Sequence, residues 1–191
     1  RVATLKGDLT HDALLTPNVS PMGDWVCSVL RDHYKVDVAL MNGGGLRKGF
    51  LAGNVTVQDF WDLMPFDNTA VVFETTGADL KKMIDHGIDS LDFGNGQFAG
   101  LHVSYNPSRP YGSKIVSMTL LDGTPVEESK LYKVITNDFV FEGGDQYSMI
   151  QPVAKNVAYT YEPIRDVLIA EAEKAGAIES HEVKVLTPVS E

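Results

Sequence analysis

The sequence predicts a mixed α/β domain of the α+β kind, a single mixed β-sheet flanked by helices and spanning residues 1–191. Three observations lead to this expectation. Apolar runs of strand length are interleaved with amphipathic stretches of helical period. Several strand-like runs follow one another between about residues 100 and 137, which breaks a strict βαβ alternation. No linker rich in Pro, Ser or charge divides the 191 residues, a length suited to one domain.

The elements follow in order. "VATLKGDLT", 2–10, reads as an edge strand entering a turn. "SPMGDWVCSVLRDHY", 20–34, is a helix with Ser20 as N-cap, Pro21 in the first turn, and Trp25, Val26, Val29 and Leu30 at helical spacing. "VDVALM", 36–41, is an apolar run suited to a buried strand. Thr56 caps the short helix "VQDFWDLM", which Pro65 stops. "AVVFETT", 70–76, is a strand, and "GADLKKMIDHGID" is an amphipathic helix with Gly87 as C-cap. "GLHVSYN" alternates, placing Leu101, Val103 and Tyr105 on one face. "KIVSMTLLDGTPV" holds a strand and the turn pair Asp122-Gly123. "LYKVITN", 131–137, is a strand and "FVFEGGDQY" its loop. "EPIRDVLIAEAEKAGA" is a helix ending near Gly176, and "HEVKVL", 181–186, a final strand.

Composition narrows the function. The formal net charge is -10, from 26 acidic and 16 basic residues, which repels a phosphate backbone and argues against nucleic acid or an anionic membrane as partner. No apolar run reaches the ~18 residues of a membrane span. The one cysteine, Cys27, excludes an internal disulfide and a thiolate metal cluster, and its place in a helix's apolar pattern predicts a buried thiol. The chain begins at Arg1 without a signal peptide, so it is expected to be a domain excised from a longer protein.

Two glycine-rich loops follow apolar strands, where open α/β sheets bind their ligands. In "NGGGLR", 42–47, bare backbone can approach an anion and Arg47 can clamp it; a plain tight turn with a solvated Arg47 is equally open. The loop lacks both the dinucleotide spacing G-x-G-x-x-G and the phosphate-cradling G-x-x-x-x-G-K-[ST]. In "NDFVFEGGDQY", 137–147, Asp145 can accept from ribose hydroxyls or simply bond its own turn. One of Phe139 and Phe141 should face the core, leaving the other free to stack. "LMPFDN", 63–68, adds Phe66, which can pack in the core or stack on a ligand, and Asn68 with a donor and an acceptor. Taken together, two aromatics, an arginine loop, an Asp and an Asn suit a nucleoside or nucleotide.

"NGGGLR", "MPFDN" and "NDFVFEGGDQY", in that order, resemble the C-terminal domain of the 5'-nucleotidase family, which includes UDP-sugar hydrolases and 2',3'-cyclic-nucleotide phosphodiesterases; the likeness runs from about 20 to 150. The resemblance implies a substrate-binding domain of a metal-dependent nucleotide phosphohydrolase, with no cofactor of its own. An N-terminal metallophosphoesterase domain with two divalent metal ions would be its partner, in an extracellular, cell-surface or periplasmic setting. By the same resemblance Phe66 and Phe139 sandwich the base, Asp145 holds the ribose, Asn42, Gly44 and Arg47 meet sugar and phosphate, and Asn68 contacts the base. The sequence departs from the pattern in three places, one being the helix start "GDWVCSVL", which lacks the family's usual acidic-Ala pair. No Arg occurs where members carry one for the phosphate, Thr16 to Ser20 standing there instead, and Gln146 replaces the usual Gly after Asp145. These departures motivate the alternative of a non-catalytic module that keeps the fold and binds another planar ligand or a protein.

Hydrolysis by this chain alone is not expected. His11, His33, His86, His102 and His181 are scattered without metal-ligand spacing, and His11-Asp12 reads as a surface turn. No G-x-S-x-G elbow is present.

Overall fold

The computed structural model describes residues 1–12, 18–90 and 92–191. The strands are β1 (Ala3–Leu5), β2 (Val38–Asn42), β3 (Gly53–Val55), β4 (Thr69–Thr76), β5 (Gly96–Ala99), β6 (Leu101–Tyr105), β7 (Ile115–Leu120), β8 (Leu131–Asn137), β9 (Lys155–Pro163), β10 (Ala177–Ile178) and β11 (Leu186–Pro188). The helices are α1 (Pro21–Tyr34), α2 (Val57–Leu63), α3 (Gly77–His86), α4 (Asp138–Phe141) and α5 (Ile164–Ala175), joined by 3-10 turns at Gly43–Gly45, Gly144–Gln146 and Gln151–Val153.

A five-stranded sheet of order β5-β2-β8-β4-β9 forms the centre. Every residue of β2 is buried, as its unbroken apolar run predicts for a strand covered on both faces. Ala39, Met41, Ala70 and Ile135 point to one face and pack with α1, α2 and α5. Val38, Leu40, Val71, Phe73 and Val134 point to the other, toward α3 and the pair β6–β7. The fold is the mixed α/β single domain expected, but among the described residues it holds three sheets rather than one, the others being β10-β1-β3 and β11-β6-β7.

Local chemistry sets the helix ends. Ser20 caps α1 by accepting from the Gly23 N–H at 2.9 Å. Thr56 and Asp59 form a reciprocal capping box on α2. Gly176 closes α5 in the left-handed region, φ +75°. Cys27 is buried, which raises its thiol pKa and keeps it a thiol.

Three expectations fail, and one strand was missed. β1 is the middle strand of its sheet, not an edge, because Val55 and Ile178, far along the chain, supply neighbours on both sides. The segment after β8 is not plain loop: Asn137 caps α4 through the Val140 N–H at 2.7 Å, and a 3-10 turn follows. The last strand falls at Leu186–Pro188, where it pairs with β6, rather than at 181–186. One edge of the central sheet is β9, which the sequence reading passed over; its alternating Val157, Tyr159 and Tyr161 are all exposed, so no apolar face marks them as core.

Strand direction positions the site. β2 and β8 run parallel (Val38↔Val134, Ala39↔Ile135), so the loops that leave them emerge at the same end of the sheet. β4 is antiparallel to β8 (Ala70↔Asn137), which brings the segment entering β4 to that end too. β5 is antiparallel to β2 (Asn42↔Gly96), so the residues before it arrive as a fourth wall.

Candidate functional site

At this end of the sheet, Asn42 and Asn137 close the adjacent strands β2 and β8. Asn137 is fully buried and donates through Nδ2 to Asn42 Oδ1 at 3.0 Å. That bond fixes the Asn42 amide with its Nδ2 outward, where it donates to Asp145 Oδ2 at 2.8 Å. Asp145 sits in the left-handed region, φ 51°, and His86 Nε2 donates to its backbone carbonyl at 2.9 Å. Asp145 is thus held at its carboxylate by Asn42 and at its backbone by His86, and the carboxylate keeps capacity for further donors.

The three glycines after Asn42 answer to separate neighbours. A Cβ on Gly43 would lie 2.2 Å from the Asn95 carbonyl, and one on Gly45 would lie 2.6 Å from Asn42 Oδ1. Gly44 instead faces open space toward Asp145. Leu63 accepts from the Arg47 N–H at 2.7 Å, which ties this loop to the end of α2. The Arg47 guanidinium is exposed, and its one side-chain bond among the described residues is to the Gly44 carbonyl at 3.4 Å.

His11 is not the surface turn that its sequence suggested. Its Nε2 donates to the Gly43 carbonyl at 2.9 Å, and its Nδ1 lies 2.6 Å from the Ser20 hydroxyl, bridging the glycine loop to the cap of α1. The carbonyl fixes the proton on Nε2, so Nδ1 accepts from Ser20. Burial lowers the His11 pKa, against smaller raising effects from the Gly43 carbonyl and Asp12. The sign follows from linkage. Above the unfolded value of about 6.5 the ring is neutral in both states; below it only the unfolded chain gains the proton. Stability is therefore expected to fall as pH drops below about 6.5, and His11→Gln should flatten that slope in urea melts across this range.

The rings divide as expected after β8. Phe141 is buried against Phe73, with centroids 5.5 Å apart, whereas Phe139 is 45% exposed. Gly144 underlies Phe139 so closely that a Cβ there would lie 2.5 Å from its ring. Phe66 is 44% exposed, and Arg165 holds its segment. The Arg165 guanidinium, 4% exposed, donates to the carbonyls of Met64 at 2.7 Å and Phe66 at 3.0 Å, pairs with Asp67 at 2.8 Å, and lies 3.4 Å over the Trp61 ring. Asp138 Oδ1 accepts from the N–H groups of Thr69 and Phe139, which joins the two ring-bearing segments.

All seven residues singled out in the sequence, Asn42, Gly44, Arg47, Phe66, Asn68, Phe139 and Asp145, line one cavity of about 590 Å³. His11, Asp12, Leu46 and Phe93 also line it and escaped the sequence reading. Phe93 lies flat on His86, with centroids 4.7 Å apart at 15°. Nothing local hints at this pairing, because His86 ends a helix and Phe93 lies in a turn seven residues on. Arg165 and Asn137 act from behind the lining, and only a side chain's reach across the sheet reveals them. Gln146 lies outside the lining, in the left-handed region at φ 62° that glycine would also adopt, so the departure in residue type leaves the backbone path intact. Of the segment where an arginine was sought, Ala13 to Pro17 lie outside the described residues.

Comparison with known proteins agrees with this architecture. Residues 2–152 match the family described as "5'-nucleotidase, C-terminal domain". The chain is 28% identical over 158 residues to the human 5'-nucleotidase, covering 76% of this chain and 26% of that one. It is 31% identical over 119 residues to the trifunctional nucleotide phosphoesterase protein YfkN of Bacillus subtilis, covering 59% of this chain and 8% of the relative. The chain thus spans about a quarter or less of these relatives' length. A crystal structure of a 5'-nucleotidase precursor from Thermus thermophilus superposes with a TM-score of 0.91 at 22% identity, over 100% of this chain and 39% of that one. At that identity the superposition establishes the fold. The match over residues 2–152 and the shared architecture show that the chain belongs to the 5'-nucleotidase C-terminal domain family.

Proposed function

We propose that this chain is the substrate-binding domain of a nucleotide phosphohydrolase, and that its cavity holds the nucleoside end of the substrate. The carrying observation is that three segments distant in sequence bring two half-exposed phenylalanines, a pre-oriented carboxylate and an arginine into one cavity. In this reading Phe66 and Phe139 stack on the base, Asn68 meets its edge, Asp145 and Asn42 hold the ribose hydroxyls, and Gly44 with Arg47 lines the way to the phosphate. Base stacking is worth about 1–3 kcal/mol per ring, much of it offset by lost freedom on association, so the isolated chain should bind nucleoside with a roughly millimolar Kd.

Among the described residues, no group of three His, Cys, Asp or Glu side chains is placed to hold a metal ion. In this reading, as the family resemblance implies, the reaction belongs to an N-terminal metallophosphoesterase domain whose two divalent ions would supply Lewis acidity and an activated nucleophile. This chain contributes position: the energy gained on the base holds the phosphate in reach of that centre. An extracellular, cell-surface or periplasmic setting belongs to the same proposal; snake venom 5'-nucleotidases are among the relatives, and no helix among the described residues is long and apolar enough to cross a membrane.

The test is a titration of the chain with adenosine, following the aromatic protons by NMR. Ring-current shifts at Phe66 and Phe139 with millimolar midpoints are expected; unmoved resonances at both rings would reject the reading for this ligand.

A further inference from the structure

The fourth wall of the cavity carries one step further, and it rests on the nucleotide reading above. Phe93 reaches the lining from the segment that enters β5, whereas Phe66 and Phe139 come from the segments before β4 and after β8. A slot between two rings accepts every base, because each base has a π-face. Asn68 carries a donor and an acceptor on one amide, so it can turn to meet the edge of any base. Discrimination between bases therefore needs a further group. Of the apolar side chains that line the cavity besides the two stacking rings, Leu46 is fully buried in the core. Phe93 is only partly buried and stays open to a ligand.

Phe93 is held from behind. One face lies on the His86 imidazole, with centroids 4.7 Å apart at 15°, which leaves its other face and its edge for a ligand. His86 is itself fixed on several sides. Its Nε2 donates to the Asp145 carbonyl at 2.9 Å, and its Nδ1 lies 3.1 Å from the Tyr111 hydroxyl, which also donates to the His86 carbonyl at 2.6 Å. Both ring nitrogens are thus engaged, which sets the plane of the imidazole. The buried Tyr147 meets it edge to face, with centroids 4.3 Å apart at 69°. Tyr147 has no slack: a Cβ on Gly87 would lie 3.0 Å from its hydroxyl, and one on Gly96 2.8 Å. The Ser90 N–H donates to Asn95 Oδ1 at 2.8 Å, which closes the turn that carries Phe93. His86 is outside the lining, yet it touches both the Phe93 ring and the backbone of Asp145, which are part of it.

We infer that Phe93 is a third aromatic contact to the base and favours purines over pyrimidines, and that His86 is the positioning residue that holds Phe93 and Asp145 in a fixed relation. A bicyclic base extends further from its sugar than a monocyclic one. It can keep its stack between Phe66 and Phe139 and still reach a ring on another wall, whereas a pyrimidine gains the stack alone. His86 acts on both ends of the nucleoside at once: through its ring face on the ring that meets the base, and through Nε2 on the residue that holds the ribose.

The experiment titrates the chain and its variants with adenosine, uridine and 2',3'-dideoxyadenosine, followed by NMR. The parent is expected to bind adenosine more tightly than uridine. Phe93→Ala should lower the adenosine-to-uridine affinity ratio about 2- to 10-fold, the value of one aromatic contact, and leave the ratio of adenosine to its dideoxy analogue unmoved. His86→Phe keeps a flat ring under Phe93 and gives up the bond to the Asp145 carbonyl. It should therefore preserve the base ratio and cut the advantage of adenosine over the dideoxy analogue by about 2- to 10-fold. Should the His86 variant fail to fold, Phe93→Ala, at a partly buried site, still decides the base ratio. A parent that prefers uridine, or a base ratio untouched by Phe93→Ala, would overturn the specificity role while leaving the nucleotide reading intact. A folded His86→Phe with its preference for the ribose hydroxyls unchanged would overturn the positioning role. Binding of none of the three ligands would overturn the nucleotide reading as well.

Discussion

Phe139→Ala is expected to weaken nucleoside binding by about 5- to 150-fold, and Phe66→Ala by a similar factor. Both figures convert a base–ring stack of about 1–3 kcal/mol. The fold should survive each change. Both rings are close to half exposed, so truncation leaves no closed core cavity, and the expected stability loss is within about 1 kcal/mol. Isothermal titration with adenosine, paired with a urea melt of each variant, separates binding from folding. Phe141 serves as the contrast. It is 1% exposed, and Phe141→Ala should cost about 3–5 kcal/mol of stability because a core cavity opens. Intact nucleoside affinity in both exposed-ring variants would remove the basis for the stacking role and favour a module that binds some other ligand.

Arg165→Met should have the largest effect on the site of any residue outside its lining. The substitution strands the carbonyls of Met64 and Phe66, breaks the pair with Asp67, and removes a cation from the face of Trp61. A charge-assisted hydrogen bond contributes about 1.5–3 kcal/mol and a cation–π contact about 0.5–2 kcal/mol. Methionine restores much of the aliphatic stem's packing, so a net loss of about 2–4 kcal/mol is expected, read as a lower urea midpoint at unchanged slope. Because the same guanidinium holds the segment that carries Phe66, nucleoside affinity should fall with stability. Arg165→Lys should recover little, since an ammonium cannot reproduce the planar fork that reaches two carbonyls and a carboxylate together. A variant as stable and as competent in binding as the parent would show that the segment after α2 is held by Pro65 and its own packing instead.

The residues that build the site were legible because their chemistry is local. A glycine run beside an arginine, a proline ahead of a phenylalanine, and a glycine pair before an aspartate each stand out within a few positions of the sequence. The supports were not. Arg165 lies in an amphipathic helix about a hundred residues from the carbonyls it binds, and only the packing of α5 against α2 brings them together. His11 looked like a surface turn because nothing near it in sequence announces the Ser20 hydroxyl and the Gly43 carbonyl that enclose it. Phe93 follows the same rule: its partner is the ring of His86, at the end of another element.

Periodicity marked out most elements for the same reason. Ser20, Thr56 and Gly176 mark helix ends through bonds that span a few residues, so α1, α2 and α5 could be read directly from the sequence. Strands depend on their neighbours. β1 is central because β3 and β10 come to it, and β9 is an edge because only β4 does, and neither fact is written in the strand itself.

By itself the sequence determined the single-domain mixed α/β class, the principal helices and strands, and the side chains that line the cavity from its two glycine-rich loops and the segment after α2. The tertiary structure alone decided that those side chains share one cavity. That outcome depends on β2 running parallel to β8 while β4 and β5 run antiparallel to their partners, which delivers four chain segments to one end of the sheet. Strand order and direction are settled by pairings between residues far apart in the chain. Local propensity says nothing about such pairings, because their free energy comes from burial and ladder hydrogen bonds that exist only once the sheet has closed.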